Sequence, residues 1–170
     1  MKLELGEIDT PLGTLRCARS SGRVVGLAFA DRWPALERAL ARRLGEIELC
    51  ATSGGDDLCA RLGAYFDGDL STLDGVEVEL VGTAFQRRVW TALRSVPAGA
   101  TISYGALARA LGRATAVRAV GAANGANPVW LVVPCHRAIG SDGRLVGYGG
   151  GIERKRWLLA HESRYSALAS

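Results

Sequence analysis

The stretch Ser103–Asn127, SYGALARALGRATAVRAVGAANGAN, decides how the second half of this chain is built. Its two segments, SYGALARALG and ATAVRAVGAANGAN, have helical character and are separated by a few residues around Gly112, which is helix-turn-helix spacing. The second segment is almost without bulk: Ala114, Ala116, Ala119, Gly121, Ala122, Ala123 and Gly125 leave Arg118 as its only long side chain. Small residues permit either close helix packing or close approach to a ligand backbone. Composition leaves both open.

Working outward, TAFQRRVWTALRSV precedes this unit, with Thr83 placed to cap a helix and Phe85, Val89, Trp90 and Leu93 forming an apolar stripe for the core. Further upstream the character changes. LELGEI, TLRCAR and RVVGLAFA read as a small antiparallel meander broken by DTPLG and SSG. DRWPALERALARRLG follows as a helix, with Asp31 as its cap, Pro34 in its first turn, Leu36, Leu40 and Leu44 on one face, and Gly45 at its end. A second helix is expected over DDLCARLGAYF, and the Asp- and Gly-rich DGDLSTLDGVEVELVG reads as a connector. These patterns predict an N-terminal subdomain over 1–80, a C-terminal one over 81–163, and a loose tail over 164–170.

With 170 residues, 48% of them hydrophobic, the chain can bury a core unaided. The net charge of +4 is unevenly spread: residues 1–82 hold 9 Lys and Arg against 14 Asp and Glu, a balance of −5, while residues 83–157 hold 11 against 2, a balance of +9. The basic half fits a solvated cationic face and a nucleic-acid partner equally. Cys17, Cys50, Cys59 and Cys135 lie far apart with no C-x-x-C pair and two histidines in all, so neither a disulfide framework nor a zinc motif is expected. No signal-like or membrane-spanning run appears, and a cytoplasmic setting is expected.

Reactive chemistry concentrates in VVPCHRAIG, Val132 to Gly140. A thiol attacks as thiolate, so a catalytic Cys135 needs a base or a positive potential, and His136 and Arg137 follow it directly. Pro134 suits a defined bend. A carboxylate to orient the imidazole is available in Glu162, at the end of a helix in RKRWLLAHE whose Trp157, Leu158 and Leu159 are expected to pack inward. Between them GSDGRLVGYGGG matches no nucleotide-binding fingerprint and is expected to form a hairpin walling a pocket.

Taken in order, SYGALA, RAVGAANGANP, PCHR and GYGGGIERKRWLLAHE resemble the O6-alkylguanine-DNA alkyltransferases. The likeness is dense over residues 83–163 and, over 1–80, limited to length and strand-helix order. It implies an α+β fold, with a small antiparallel sheet and helices (ribonuclease H-like) followed by a mostly helical, winged helix-turn-helix-like subdomain. It implies DNA repair by direct reversal: one irreversible transfer of an alkyl group from guanine O6, and from thymine O4 as a further substrate, in duplex DNA. Cys135 matches the alkyl acceptor, His136 its water-linked base, Glu162 the orienting carboxylate and Tyr104 the hydroxyl facing guanine N3. Arg118 matches the arginine that fills the space of a flipped nucleotide, with Ala116, Ala119 and Ala122 smoothing the helix for the minor groove, which is about 6 Å wide. Asn127 matches a link between that helix and the active segment and is grouped with both DNA and pocket. Cys135, Ala138, Tyr148 and Gly149 read the base edge. Trp130, where relatives carry smaller residues, is expected to narrow the pocket, and Ala114 replaces a usual proline. The resemblance calls for no cofactor, for double-stranded DNA containing O6-alkylguanine as partner, and for a monomer that can cluster on DNA; some members hold zinc, but the N-terminal half here has Cys17, Cys50 and Cys59 and no histidine, so no metal is expected, nor a membrane partner, and the protein is expected to be cytoplasmic and nucleoid-associated when bound. Two rivals remain: a non-catalytic alkylated-DNA binder, from which the presence of Cys135 departs, and a cysteine hydrolase built on Cys135, His136 and Glu162, which would turn over repeatedly.

Overall fold

The computed structural model describes residues 1–51 and 57–169, which divide into two compact units: Met1–Val81 with Pro128–Trp130, and Gly82–Asn127 with Leu131–Ser170. In the first, β1 (Lys2–Ile8), β2 (Leu15–Ser20) and β3 (Arg23–Phe29) pair antiparallel. The β2–β3 turn has positive φ at both central residues, 50° at Ser21 and 79° at Gly22, the mirror-image turn that matches strand twist. A fourth strand, β4 (Glu48–Ala51), adds to β1 in parallel and makes the order β3-β2-β1-β4. The sheet is therefore mixed, not the purely antiparallel one expected. Four residues, one of them charged and one an alanine, carry too little alternation to read as a strand. A parallel partner is reached only by crossing over α1 (Trp33–Leu44).

α1 lies on β3, where a Cβ on Gly26 would stand 3.0 Å from Leu40 Cδ1. Its cap is Arg32, not Asp31: the turn closed by Arg32 N–H on the Phe29 carbonyl carries the chain one residue further before the first helical bond, and Asp31 pairs with Arg32 instead. α2 (Asp57–Phe66) forms as expected, with the Asp56 of its predicted start outside the described residues. The free edge of β3 is covered twice. Val24 exchanges hydrogen bonds with Glu77 and Glu79, and Leu27 with Pro128 and Trp130, so the outer backbone of an edge strand is paired by segments distant in sequence.

That second pairing corrects the expectation for Trp130. Its N–H donates to the Leu27 carbonyl at 2.9 Å and its indole lies 5.9 Å from the Phe29 ring, so it belongs to the core of the first unit and not to a pocket wall. Chain return along β3 dictates where the side chain goes. Trp130→Ala should lower stability by about 3–5 kcal/mol, the cost of emptying a packed aromatic site; a shift in urea midpoint of the size seen for surface substitutions would contradict this packing role.

In the second unit, α3 (Ala84–Arg94) opens with a reciprocal cap, the Thr83 hydroxyl accepting from the Gln86 backbone N–H and the Gln86 side-chain Oε1 accepting from Thr83 N–H. Val89, Trp90 and Leu93 are buried, and the Trp90 indole N–H donates to the Ala123 carbonyl at 2.8 Å. α4 (Tyr104–Ala110) is capped by Ser103 and ends at Gly112, φ 69°, whose N–H bonds Arg109 O while Arg113 N–H bonds Ala108 O. This paired C-terminal cap requires a left-handed residue, and glycine supplies it without strain. α5 (Val117–Gly125) follows at once, so Ala114 in place of proline leaves the turn intact. α6 spans Ile152–Ala169. Residues 164–169 thus continue a helix and are no loose tail: Tyr165 lies 4.8 Å from the His161 ring and Arg164 covers Tyr165. Trp157 does not pack inward either; it is 37% exposed and stacks on His161, because three successive helical residues cannot share one face. No described helix is long and apolar enough to cross a membrane.

Candidate active site

Two short strands of the second unit bring its chemistry together. β5 (Ile102–Ser103) pairs in parallel with β6 (Ala138–Ile139), which sets the first residue of α4, Tyr104, level with the segment that carries Cys135. That segment is bent tightly. Cys135 N–H bonds the Val133 carbonyl at 2.8 Å across Pro134 (φ −80°, ψ 64°), an inverse γ-turn, and Cys135–Arg137 then form one 3-10 turn. The bend turns Cys135 and its two neighbours inward; Cys135, His136 and Arg137 are all buried.

His136 Nε2 stands 2.8 Å from Glu162 Oε1, both wholly buried. Arg137 grips the same carboxylate twice, Nε on Oε2 at 2.9 Å and Nη2 on Oε1 at 2.8 Å, and its Nη1 donates to the Val96 carbonyl at 2.6 Å. Burial pushes the Glu162 carboxyl up, but His136 and Arg137 together outweigh it and hold the group well below the usual carboxylate range. An anionic Glu162 requires the imidazole to carry its proton on Nε2. Nδ1 is then the lone-pair nitrogen, and it is buried without a hydrogen-bond partner among the described residues. Burial also lowers the His136 pKa despite Glu162, so the ring is neutral near pH 7 and able to accept a proton.

The thiol is not preionised. Burial pushes Cys135 up to about 11, against opposing pulls from the Asn127 side chain and the Lys155 charge. At pH 7 that leaves a thiolate fraction near one in ~10⁴, so a base must take the proton as the sulfur reacts. Lys155, on α6, is wholly buried and spends its ammonium protons on the carbonyls of Ala138 (2.5 Å), Val146 (3.2 Å) and Gly147 (3.2 Å). It holds the 146–147 backbone to β6 and places a positive charge near the sulfur. The Tyr104 hydroxyl donates to the Val146 carbonyl at 3.1 Å, and burial raises its pKa, so it remains a proton donor.

Of the residues singled out in the sequence, Cys135, His136, Glu162, Tyr104 and Ala138 share this cluster. Asn127 is buried, with Nδ2 on the Val133 carbonyl at 2.8 Å; this fits the linking role and corrects its grouping with DNA-contacting residues, since it presents almost no surface. Tyr148 is half-buried, its raised pKa owed to burial and then to Cys135, and Gly149 is exposed. The Gly-rich stretch makes a turn closed by Gly140 N–H on Arg144 O rather than a strand hairpin. Arg118, Ala119 and Ala122 are exposed on α5, Ala116 half-exposed at its start, and a Cβ on Gly121 or Gly125 would meet nothing within 4 Å. Arg137, Lys155 and Asn124 were not selected from sequence as site residues. A signal existed for two of them: Lys155 stands seven residues before Glu162 on the inner face of α6, and Asn124 shares the inner face of α5 with Val120. Among the described residues no group of three or more metal-ligating side chains is placed to hold an ion.

The profile of the 6-O-methylguanine DNA methyltransferase DNA-binding domain matches residues 84–164. A methylated-DNA–protein-cysteine methyltransferase of Salmonella typhimurium is 51% identical over 134 residues, 79% of this chain and 78% of the relative. One from Mycolicibacterium paratuberculosis is 43% identical over 96% of this chain and 94% of its own. Among solved structures, Mycobacterium tuberculosis OGT in complex with DNA superposes with a TM-score of 0.79 at 38% identity, covering 95% of this chain and 94% of that one. These likenesses extend through the N-terminal unit, beyond the region where the sequence motifs were dense.

Proposed function

This chain belongs to the methylated-DNA–protein-cysteine methyltransferase family, and from that premise we propose that Cys135 removes the alkyl group from O6 of guanine in duplex DNA, once per molecule, after the nucleotide has left the stack. The observation that carries the reading is the buried line Cys135, His136, Glu162, Arg137, with the lone-pair nitrogen of His136 left open. The sulfur attacks the alkyl carbon in line with the C–O6 bond, which breaks as the S–C bond forms. The thiol proton passes through a water to His136 Nδ1, and the imidazolium is stabilised by Glu162. Tyr104 donates its proton to guanine N3, so the base leaves neutral, and the phenolate recovers a proton from the imidazolium. Protein thiol and alkylguanine become thioether and guanine. A thioether has no easy hydrolytic exit, and the cluster holds no second nucleophile to release it, which favours this reading over a hydrolase.

The path to the base follows from α5. A guanine inside the stack hides its O6 group from any thiol, so extrusion is required, and the opening has to be filled. Arg118, exposed and the one charged residue on its helix, is the residue for that task, with thymine O4 a second substrate of the same pocket. Phosphate contact by the basic half makes binding weaken as salt rises.

Two measurements test this together. Mass spectrometry after incubation with methylated duplex should find one methyl group on the peptide containing Cys135. Arg118→Ala should slow transfer from the duplex by on the order of tenfold or more while leaving transfer from a free alkylated base nearly unchanged, since unstacking costs a few kcal/mol only in the duplex. Equal losses on both substrates would make Arg118 a structural residue instead.

A further inference from the structure

Asn124 lies on the inner face of α5, 4% exposed, and the reaction just described gives it no task. Its Nδ2 donates to the Tyr104 hydroxyl oxygen and to the Cys135 carbonyl, each at 3.4 Å, which uses both of its protons. Its Oδ1 is buried with no hydrogen-bond partner among the described residues. Which end of an amide faces which neighbour is decided by what those neighbours can donate or accept. The Cys135 carbonyl can only accept, and the reverse orientation would set oxygen against oxygen. The nitrogen therefore faces Cys135 and, with it, Tyr104.

That orientation decides how the tyrosine can be used. A phenol oxygen that accepts from an amide points its own proton elsewhere, and Tyr104 donates to the Val146 carbonyl at 3.1 Å. Lys155 gives its protons to the carbonyls of Ala138, Val146 and Gly147, which leaves the Asn124 amide as the donor to the phenol oxygen among the described residues. This bond gains weight once the phenol proton has left, because a hydrogen bond to a phenolate is charge-assisted and roughly twice as strong as one to a neutral hydroxyl. Its pull is present in the resting protein: burial raises the Tyr104 pKa, the neighbouring Cys135 adds to the rise, and the Asn124 bond lowers it.

We propose that Asn124 is a positioning residue that works through Tyr104: its Nδ2 turns the hydroxyl proton away from α5 and steadies the negative charge left on the phenol oxygen when that proton passes to guanine N3. The inference rests on the reading of Tyr104 as the donor to N3 given above. The proton moves from Tyr104 to the leaving base, the amide keeps both of its own, and the phenolate held by Asn124 lasts until the imidazolium returns a proton. A buried tyrosine without such a donor would be a poorer acid at the moment the base departs. The Cys135 carbonyl, by contrast, keeps the Ala138 N–H when Asn124 is changed, so the tyrosine oxygen is the group that is left without a donor.

The experiment is a double-mutant cycle, with protein in excess over duplex carrying O6-methylguanine and single-turnover methyl transfer to Cys135 as readout. Asn124→Leu, similar in volume and without a donor, should slow transfer about tenfold, the rate equivalent of a charge-assisted over an ordinary hydrogen bond. Added to Tyr104→Phe, which is itself slow, the same substitution should slow transfer by no more than about twofold further, because the oxygen it serves is gone. On a duplex carrying the 3-deaza analogue of the lesion, where a carbon replaces the N3 acceptor, the unmodified protein and Asn124→Leu should share one reduced rate. Asn124→Ala suits a helix already rich in alanine and takes the place of the leucine variant if that one does not fold. Transfer by Asn124→Leu at the unmodified rate overturns the proposal. So does a full loss that persists in Tyr104→Phe or on the 3-deaza lesion, which would make Asn124 a prop for Cys135 or for the fold. Tyr104→Phe as fast as the unmodified protein would overturn the N3 reading, and the proposal with it, and is distinguished by being seen without any change at Asn124.

Discussion

Cys135→Ala should abolish methyl transfer outright while binding to methylated duplex persists, because in the proposed reaction the sulfur forms the new bond, and it lies 3% exposed beside α5 of its own unit, the helix proposed to face DNA. Removing one small buried side chain should cost roughly 1 kcal/mol of stability, too little to unfold the domain. Repair beyond one equivalent of unmodified protein would defeat the single-use reading. The pH dependence of the unmodified protein separates two ways of making the nucleophile. If the thiol lost its proton to solvent, the rate would rise tenfold per pH unit from neutrality towards about 11, the value to which burial pushes it. If His136 takes the proton, the rate levels off once His136 is neutral. Its pKa is lowered by burial, so the plateau should already be reached at pH 7 and extend to pH 9. Single-turnover rates across that range decide, and a slope of one would remove His136 from its role.

The second large effect is on the carboxylate beneath the histidine. Arg137→Ala strips two charge-assisted hydrogen bonds from a wholly buried Glu162, and neither the His136 contact nor the long one from Gly99 N–H at 3.4 Å supplies a replacement charge. An uncompensated buried charge costs about 3–5 kcal/mol. Unfolding in urea at pH 7 should show that loss, and methyl transfer should fall with it as the orienting carboxylate takes up a proton. The sign with pH follows from linkage. A carboxyl held below its unfolded value contributes stability above roughly pH 4.3 and loses it as pH falls towards the folded value. The neutral His136, held below its own unfolded value, likewise contributes stability above about pH 6.5 and loses it as pH falls. The gap between the unmodified protein and Arg137→Ala should therefore narrow as pH drops below about 4. A gap that stays constant down to pH 3 would show that the arginine acts by packing alone. The pair Arg137→Met with Glu162→Gln should recover much of the stability, since no lone charge stays buried, and none of the transfer.

Local chemistry was legible from the chain itself. The Thr83–Gln86 cap, the Ser103 cap and the left-handed Gly112 are decided by residues within four positions of one another, so α3, α4 and α5 stand where their sequences place them. The bend at Pro134 is local too, and Cys135 with His136 beside it was enough to propose a nucleophile and its base. Arg118 stands out in sequence as the one charged residue of α5, and its proposed DNA contact rests on that. What the chain did not disclose is which charges become buried and which strands find distant edges. Arg137 and Lys155 give no sign in sequence of what they bind, and only the fold brings Glu162, 25 residues on from Arg137, and the carbonyls of Ala138, Val146 and Gly147 to meet them. Trp130 reads as pocket bulk until Leu27, about a hundred residues earlier, pairs with its backbone and Phe29 receives its ring. β4 is too short to announce itself without β1 alongside. Caps and turns are settled by hydrogen bonds within one or two turns of chain, whereas the sign and cost of burying a charge or an edge depend on partners whose distance in space bears no relation to their distance in sequence. Sequence therefore determined the helices, and it picked out the cysteine and the arginine proposed as nucleophile and DNA contact; tertiary structure decided the ionic lock on Glu162, the lysine over the loop, the amide between Tyr104 and Cys135, and the unit to which Trp130 belongs.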